Sequence, residues 1–409
     1  MSACDRRAYY PAEAGLFKLR ASDGDLVWEC RPVQFGATSA QGQLNTRVDM
    51  LPSGNVVVSG VSSAQRSKVL SVAQSGGLVS AVSEYGNPTE TFGVEATNQQ
   101  FAYDITDDYV YHGGPDTSTF AHGLVLSRFS HAGAFEGTRT IGSVGSFKAF
   151  RAIQGTEQFD VISASASALV RYPGLTGAST ASLAGAIFGW DRTFRIVSDG
   201  THYYIPQSST VLRKITIATL AVAATRTVLF TLSEGDTRDG YVAYIGRFGG
   251  FSPVAVSAWD TATLAPQFVN AGMFAGRATG VGVCGDFVAA IGTDDGTHPG
   301  TATQASVKRL EFDGSVTWTT PLPMGADRSA AFDVHPRVLI SQDKTRVYAY
   351  GPFSHNGVTA QSLKMAIYCL DADDGSIIWR FSDRAGVSLY DDGDYLYLGT
   401  ITGTAPLYR

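Results

Sequence analysis

Short stretches of alternating apolar and polar residues recur along the whole chain, each followed by a polar turn. Three of them are closely alike: Leu16–Trp28 (LFKLRASDGDLVW), Val307–Trp318 (VKRLEFDGSVTW) and Ile367–Trp379 (IYCLDADDGSIIW). Each combines an alternating strand, an Asp-Gly turn, a second short strand and a tryptophan four residues after the turn glycine. Because Asp-Gly between alternating strands is a strong hairpin signal, with positive φ at both turn residues, the pattern predicts a repeated β-hairpin.

Five weaker copies of this hairpin lie between the three clear ones. They are Val69–Ser80, Leu124–Gly137, Leu169–Ala181, Val211–Ala223 and Val254–Phe268. The predicted turn positions of the eight copies are Gly24, Gly76, Gly133, Gly177, Thr219, Thr263, Gly314 and Gly375. Their average spacing of about 50 residues is typical of a four-stranded propeller blade.

A second pattern alternates with the first: a polar turn, then an aromatic or β-branched strand that ends near glycine. Its copies are Ser53–Gly60, Asp107–Gly113, Gly155–Ser163, Asp199–Ile205, Asp239–Gly246, Gly285–Gly292, Asp343–Gly351 and Asp392–Gly399. No helical periodicity of useful length interrupts the alternation.

The two patterns together predict an all-β fold, a single closed β-propeller of about eight four-stranded blades over residues 1–409, with 1–15 as an N-terminal extension. The first hairpin copy lacks a preceding strand of the second type, and the chain ends on one, Tyr395–Gly399. We therefore expect N- and C-terminal strands to complete one blade, which would pair otherwise open edges. Pro406–Arg409 (PLYR) resembles the strand that Leu16–Leu19 should supply, so one of the two is expected to be an extra outer strand.

The alternating pattern resembles the PQQ-like (quinoprotein-type) propeller repeat, in which a strand like YLYLG precedes one like LYCLDADDGSIIW. The resemblance covers nearly the whole chain and is sharpest in the first copy and the last two. It assigns structural repeat positions to Gly24, Trp28, Gly314, Trp318, Gly375 and Trp379. In middle copies the tryptophan position holds Ser80, Gly137 or Ala181, so we expect another contact to replace inter-blade tryptophan packing there.

Composition and charge narrow the function classes. The chain has 409 residues, 44% of them hydrophobic, and a net charge of −6, which does not favour nucleic-acid binding. No apolar signal-peptide core follows the N-terminus, and the least charged apolar stretch, residues 215–225, is too short to span a membrane. The scattered Cys4, Cys30, Cys284 and Cys369 do not indicate a disulfide scaffold.

Candidate chemistry is sparse. The seven histidines show no metal-ligand spacing, and Asp371–Gly375 (DADDG) resembles a calcium loop but has serine, Ser382, where an EF-hand has glutamate. Asp313–Trp318 (DGSVTW) approaches a sialidase Asp-box without its spacing. Gly280–Gly285 (GVGVCG) matches a dinucleotide motif, but a strand copy follows it rather than a helix. Tyrosines two residues apart (Tyr109 and Tyr111, Tyr348 and Tyr350, Tyr395 and Tyr397) favour packing between blades over a carbohydrate-binding face.

We accordingly predict no catalytic, cofactor-binding or metal-binding residues and no cofactor. The favoured hypothesis is a non-catalytic structural or interaction propeller that contacts other proteins of an assembly or a surface glycan. In character it resembles tail, baseplate or capsid-associated proteins of tailed phages, which implies a virion location and otherwise a cytoplasmic one. The alternatives are a PQQ-dependent dehydrogenase-like or glycan-cleaving enzyme, and a scaffold resembling the outer-membrane-assembly propeller of the same repeat family.

Overall fold

The computed structural model describes residues 16–30, 47–61, 67–77, 79–85, 102–116, 123–141, 147–163, 168–185, 194–208, 210–247, 254–294, 303–324, 336–354, 364–382 and 386–400. These residues form strands and turns, and none of them belongs to a helix that could cross a membrane. The all-β prediction is therefore confirmed.

The described strands are numbered in chain order. The first eleven are β1 (Leu16–Arg20), β2 (Leu26–Cys30), β3 (Arg47–Met50), β4 (Val56–Val61), β5 (Ser67–Val72), β6 (Val79–Tyr85), β7 (Ala102–Ile105), β8 (Tyr109–Asp116), β9 (Gly123–Ser130), β10 (Phe135–Ile141) and β11 (Phe147–Ala152). The next eleven are β12 (Phe159–Ser163), β13 (Ala168–Tyr172), β14 (Ala181–Ala184), β15 (Phe194–Arg195), β16 (Val197–Ser198), β17 (His202–Ser208), β18 (Val211–Thr216), β19 (Ala221–Thr227), β20 (Thr231–Arg238), β21 (Tyr241–Arg247) and β22 (Val254–Asp260). The last eleven are β23 (Pro266–Phe274), β24 (Ala278–Val283), β25 (Val288–Thr293), β26 (Gln304–Leu310), β27 (Val316–Pro323), β28 (Arg337–Ile340), β29 (Arg346–Ser354), β30 (Lys364–Asp371), β31 (Ile377–Ser382), β32 (Gly386–Asp391) and β33 (Tyr395–Thr400).

These strands form the antiparallel four-stranded sheets of a β-propeller, with one exception. The seven four-stranded sheets are β3–β6, β7–β10, β16–β19, β20–β23, β24–β27, β28–β31 and the sheet ordered β32-β33-β1-β2. The remaining sheet, β11–β15, has five strands because β15 pairs in parallel with β11. The prediction of about eight four-stranded blades is therefore not supported: counted by four-stranded sheets, the propeller has seven blades, and each described sheet is open at both edges.

Adjoining sheets contact one another in chain order. The first strands of successive sheets contact one another: β7 contacts β11, and β24 contacts both β20 and β28. Strand β32 contacts β3 on one side and β29 on the other, so that the packing returns to the sheet where it began. The hydrophobic core lies between sheets: one cluster joins Val307 and Leu322 of β26 and β27 to Val338 and Tyr368 of the next sheet.

Strands from both ends of the chain share one sheet, as predicted. β1 pairs antiparallel with β33, with Leu16 opposite Gly399 and Arg20 opposite Tyr395. Leu16–Leu19 therefore lies inside the sheet, whereas Pro406–Arg409, the alternative strand, lies outside the described residues. The strands of both predicted patterns are all present, including the weaker copies at β12 and β17.

The hairpin turns differ from the prediction of two residues with positive φ. In the Asp-Gly turns Gly24 and Gly375 have φ of +74° and Gly314 has +83°, but the aspartates before them are not among the described residues with positive φ. The Gly24 N–H donates to the Arg20 carbonyl (2.9 Å), which closes a longer turn. Aspartate serves another purpose there, because the Oδ1 atoms of Asp23 and Asp313 accept backbone N–H groups two residues later (3.0 and 2.8 Å).

Three turn positions lie one residue after the predicted ones. The residues with positive φ are Gly77, Leu220 and Leu264 instead of Gly76, Thr219 and Thr263. The strand after each of these turns contains a β-bulge: between Ile215↔Val222 and Lys214↔Ala224, for example, Ala223 is left out of the register. Ile378 holds the same position in the hairpin of Gly375. A single left-handed residue followed by a bulge is a common alternative to the two-residue turn, and sequence alone does not choose between them.

Candidate interaction surface

The three predicted tryptophans lie at junctions between adjoining sheets. Each indole N–H donates to the backbone carbonyl three residues before the left-handed turn residue of the next sheet. The three pairs are Trp28 with Gln74 (2.8 Å), Trp318 with Ala372 (2.8 Å) and Trp379 with Ala21 (3.0 Å). Each tryptophan therefore joins its own outer strand to the neighbouring hairpin.

The turn glycines provide the surface on which these rings pack. A Cβ on Gly24 would lie 2.5 Å from Cε3 of Trp379, and one on Gly375 would lie 2.6 Å from Cδ2 of Trp318. Trp28 packs on Gly77, which the sequence had not singled out, and Phe268 takes the tryptophan position against Gly314. The six predicted repeat positions therefore take part in four consecutive junctions. In two of these junctions, Trp318 with Gly375 and Trp379 with Gly24, both partners were predicted.

Basic side chains replace the tryptophan where it is missing. Arg139 donates to the Gly174 carbonyl (2.6 Å), Arg171 to Ile217 (2.6 Å) and Lys214 to Thr261 (2.7 Å). Each carbonyl again lies three residues before a residue with positive φ, namely Gly177, Leu220 and Leu264. The sequence analysis missed these residues. Arg171 and Lys214 stand six residues before the left-handed turn residue of their own hairpin, whereas Arg139 follows its turn. Lys18 and Arg309 have a similar spacing but donate to the same carbonyls as Trp28 and Trp318, so this spacing alone does not mark a missing tryptophan.

One junction has a buried ion pair at its centre. Asp160, fully buried, accepts hydrogen bonds from Arg171 Nε (2.9 Å) and Nη2 (2.7 Å) and from the Tyr203 hydroxyl (2.8 Å). Burial raises the pKa of Asp160, although hydrogen bonds from Arg171 and Tyr203 oppose this shift. Burial likewise raises the pKa of the Tyr203 hydroxyl. All of these groups satisfy one another, which indicates a structural role.

The tyrosine pairs also face inward. Tyr111, Tyr348 and Tyr397 are at most 1% exposed. Tyr109 packs edge-on against Tyr111 and lies under the Arg128 guanidinium (4.1 Å), and the Lys18 ammonium lies 3.8 Å from the ring centre of Tyr395. These contacts lie within single sheets. Contacts between sheets are made by Tyr111, whose ring centre is 5.7 Å from that of Phe150, and by the Tyr397 hydroxyl, which accepts a hydrogen bond from Gln74 (2.7 Å).

The candidate metal and redox groups make internal contacts. Among the described residues no group of three or more His, Cys, Asp or Glu side chains is placed to hold a metal ion. In the DADDG turn, the Oδ1 atoms of Asp371 and Asp374 accept backbone N–H groups (2.8 Å each). Cys30, Cys284 and Cys369 are buried thiols. His131 contacts the Thr106 carbonyl and His202 contacts Thr201, whereas Cys4, His122, His298, His335 and His355 lie outside the described residues.

Several large apolar side chains are exposed on outer strands of the sheets. Val27 of β2 is 43% exposed, and Ile377 and Ile378 of β31 are 46% and 43% exposed. The two strands meet through Trp379, which packs on the turn that precedes β2. Val316 of β27 (42%), Val222 of β19 (39%) and Phe135 of β10 (36%) are exposed to a similar extent. These side chains are in contact with water and available to a partner.

The comparisons with known proteins identify the fold. No protein-family model matches the chain, and no curated protein matches its sequence. Solved structures similar to it include the computationally designed Ika8 protein (11% identity, TM-score 0.53, 88% of this chain and 96% of that one) and BamB from Moraxella catarrhalis (13%, 0.51, 90% and 100%). The WD40 repeats of RRP9 also match (10%, 0.48, 95% and 99%). At these identities the likeness to the Ika8 protein and to BamB shows a β-propeller fold alone.

Proposed function

We propose that the chain is a non-catalytic interaction propeller that contacts other proteins of a larger assembly, such as the tail, baseplate or capsid-associated structures of a phage particle. The observation that carries the proposal is the exposure of large apolar side chains on the outer strands of several sheets, among them Val27, Val316 and Ile377. Apolar side chains that stay exposed to water are available for contact with a partner protein.

The placement of the polar residues supports the same proposal. The described aspartates of the turns accept backbone N–H groups, and the basic residues of the junctions donate to carbonyls of the next sheet. Side chains used in this way stabilise the turns and the junctions between sheets. The exposed side chains of the outer strands remain available for contacts with a partner. We further propose that the five-stranded sheet is an eighth blade and that the repeat belongs to the PQQ-like family.

Co-sedimentation with a native particle tests the proposal. Particles purified from the source of the gene are separated on a density gradient and probed for the chain. We expect the chain in the particle fractions, and its release only when the particle is dissociated. Finding it only as a free 43.4 kDa protein would contradict a place in an assembly.

The enzyme alternative has its own test. The purified chain is incubated with pyrroloquinoline quinone and Ca²⁺, dialysed, and examined by absorbance and with an alcohol-oxidation assay. We expect no retained quinone and no turnover. Stoichiometric retention with activity would replace the interaction proposal by a quinoprotein dehydrogenase.

A further inference from the structure

Strand β19 (Ala221–Thr227) is the most exposed outer strand whose burial the structure describes. None of its residues is buried, and Ala224 alone is partly covered. The other outer strands of five or more residues whose burial is described each bury at least one side chain: Cys30, Ile141, Phe268, Trp318 and Trp379. The adjoining sheets therefore cover little of β19, and among the described strands it pairs with β18 alone.

The sequence explains this exposure. Ala224 takes the position that tryptophan holds in other hairpins, four residues after the left-handed turn residue, which here is Leu220. A methyl group cannot fill the junction between sheets as an indole does. The Lys214 ammonium makes the contact with the next sheet instead, at 2.7 Å from the Thr261 carbonyl. The hairpin is thus held by β18, while β19 extends into solvent.

The free edge of β19 presents backbone groups in a regular row. Val228, directly after the strand, donates its N–H inward to the Thr210 carbonyl (2.8 Å). Because successive residues of an antiparallel strand alternate between its two edges, Thr225 and Thr227 direct their N–H and C=O groups outward. The bulge at Ala223 interrupts this row only near the beginning of the strand. The edge also lacks proline, whereas the outer strands β23 and β27 contain it, and proline on an edge opposes the addition of a strand.

Charges around β19 indicate which segment fits there. Residues 200–233 include no carboxylate and carry Arg213, Lys214 and Arg226, although the whole chain has a net charge of −6. Arg213 and Lys214 donate to carbonyls of the two adjoining sheets, and Lys214 also interacts electrostatically with Asp260. Arg226 is exposed on the strand itself. The surroundings of the free edge are therefore positively charged.

A large apolar side chain lies at the end of the same edge. Leu229, two residues after Thr227, is 68% exposed, more than any other large apolar side chain among the described residues. A strand that runs beside β19 would pass this side chain and cover it. A second copy of the chain would instead bring Arg226 against the same basic side chains, which costs free energy.

We propose that an extended, acidic segment of a partner protein adds to β19 as the fifth strand of this sheet. Its backbone pairs with Thr225 and Thr227, its carboxylates face Arg226, and an apolar residue covers Leu229. In this mode of binding the backbone hydrogen bonds provide affinity and the side chains provide specificity. This inference rests on the proposed interaction function and specifies the surface and the chemistry of the partner.

Synthetic peptides test this mode of binding directly. The probes are fluorescein-labelled twelve-residue peptides of alternating Glu and Val, alternating Lys and Val, and the Glu–Val peptide methylated at its backbone nitrogens. Binding to the full chain is measured by fluorescence anisotropy at 50 and 300 mM NaCl. We expect the Glu–Val peptide to bind most tightly and to weaken at the higher salt concentration. Equal binding of the Lys–Val peptide would overturn the charge argument, and equal binding of the methylated peptide would overturn strand addition.

A proline variant places the binding on the edge of β19. Thr225→Pro removes an outward N–H that β18 does not use, so the fold should persist while Glu–Val binding weakens about tenfold or more. Thr319→Pro is the matched control on the outer strand β27. There the Met324 N–H points inward (2.9 Å to the Thr303 carbonyl), so by alternation the N–H of residue 319 points outward. Unchanged binding by Thr225→Pro, or the same loss in Thr319→Pro, would overturn the inference.

Side-chain variants test the chemistry of the partner. Arg226→Glu should weaken Glu–Val binding at 50 mM NaCl and have a smaller effect at 300 mM, because salt screens the charges. Leu229→Ser should weaken binding equally at both salt concentrations, because it removes apolar area from the contact. If neither variant changes binding, the acidic and apolar partner is wrong.

Two measurements separate this inference from the proposed function. If Thr225→Pro still co-sediments with the particle as the wild type does, the interaction function stands and β19 is not its surface. If sedimentation velocity shows a wild-type dimer that Thr225→Pro converts to monomer, a second copy occupies the edge and the acidic partner is wrong. Loss of the variant from the particle fractions, with its fold intact by circular dichroism, supports the inference.

Discussion

The Asp160 carboxylate and the carboxylates of the turns are chemically identical, but they have opposite surroundings. Asp160 is fully buried against Arg171 and Tyr203, whereas Asp313 is exposed and contacts only its own turn. The aspartate of an Asp-Gly pair is readily predicted from sequence because its contacts are two residues away. The partner of Asp160 on the next sheet, Tyr203, is 43 residues away and has no local signal.

Asp160→Asn should destabilise the protein strongly. The substitution leaves the Arg171 guanidinium buried without its counter-charge, and breaking a buried pair on one side costs about 3–5 kcal/mol. Urea unfolding of the wild type and the variant measures the difference in the free energy of unfolding. Asp374→Asn, at an exposed turn, is the control and should change it by less than about 0.5 kcal/mol. A small effect at Asp160 would show that the pair is not structural.

Asp199 should make the free energy of unfolding depend on pH in the acid range. Burial raises its pKa, but hydrogen bonds from the Tyr204 hydroxyl and from Thr201 and His202 outweigh this and lower the pKa to about 2. A folded pKa below the unfolded one gives stability at neutral pH that is lost as the pH falls through the window from about 4 to about 2. Because the side chain is partly exposed, the contribution is modest.

The Asp199→Asn variant isolates this contribution. Unfolding free energies of wild type and variant are compared at pH 7, 5, 4 and 3. We expect the advantage of the wild type to be constant between pH 7 and 5 and to shrink below pH 4. An advantage independent of pH down to 3 would mean that ionised Asp199 is not favoured by folding.

At the scale of the element, the junction contact couples two features that the sequence shows separately. The tryptophan and the turn glycine lie four residues apart in one hairpin, which the repeat reveals. The structure instead joins the tryptophan of one hairpin to the glycine of the next, such as Trp379 to Gly24. Basic substitutes such as Lys214 were not predicted, because their acceptor is a backbone carbonyl that any residue supplies.

Truncation of Trp379 should separate packing from hydrogen bonding. Trp379→Ala should lower the free energy of unfolding by about 3–5 kcal/mol, through loss of buried ring and the cavity left behind. Trp379→Phe should cost about 1–2 kcal/mol, because the Ala21 carbonyl keeps the Arg346 guanidinium as a donor (2.6 Å). Thermal and urea unfolding measure the stability of both variants. If the two lower the free energy of unfolding equally, the hydrogen bond of the indole N–H contributes more than the packing of the ring.

The turn at Gly76 and Gly77 allows a matched test of turn geometry. Gly77 has φ of +66°, and a Cβ there would lie 2.7 Å from Trp28, whereas a Cβ on Gly76 meets nothing within 4 Å. Gly77→Ala should cost at least about 1 kcal/mol from the left-handed conformation alone. Gly76→Ala should be neutral or stabilise by up to about 1 kcal/mol. Urea unfolding measures both variants. If Gly76→Ala costs more free energy of unfolding than Gly77→Ala, the turn position predicted from sequence is favoured.

At the scale of the whole molecule, the architecture was largely predictable because each repeat carries its own hairpin signals. The strands of both patterns and the shared terminal sheet were predicted correctly. The five-stranded sheet was missed because β15 has two residues, and its parallel pairing with β11 depends on chain folding far from either segment. The exposed apolar side chains of the outer strands were also missed, since the exposure of Ile378 follows from a bulge whose register the sequence does not specify.

Removal of residues 1–30 tests how much the molecule depends on the shared sheet. The deletion takes away β1 and β2, leaves the edge of β33 unpaired, and removes the Gly24 turn and the Ala21 carbonyl that hold Trp379. Open strand edges promote pairing with other chains, so we expect a lower unfolding temperature, a red-shifted tryptophan emission and self-association in sedimentation velocity. A synthetic peptide of residues 16–30 should bind the truncated chain and reverse all three effects, because it restores the partner of β33. A scrambled peptide of the same composition should have no effect. If the truncated chain unfolds at the wild-type temperature and stays monomeric, the other sheets hold the molecule without the N-terminal hairpin, and the joining of the two ends is not what stabilises the propeller.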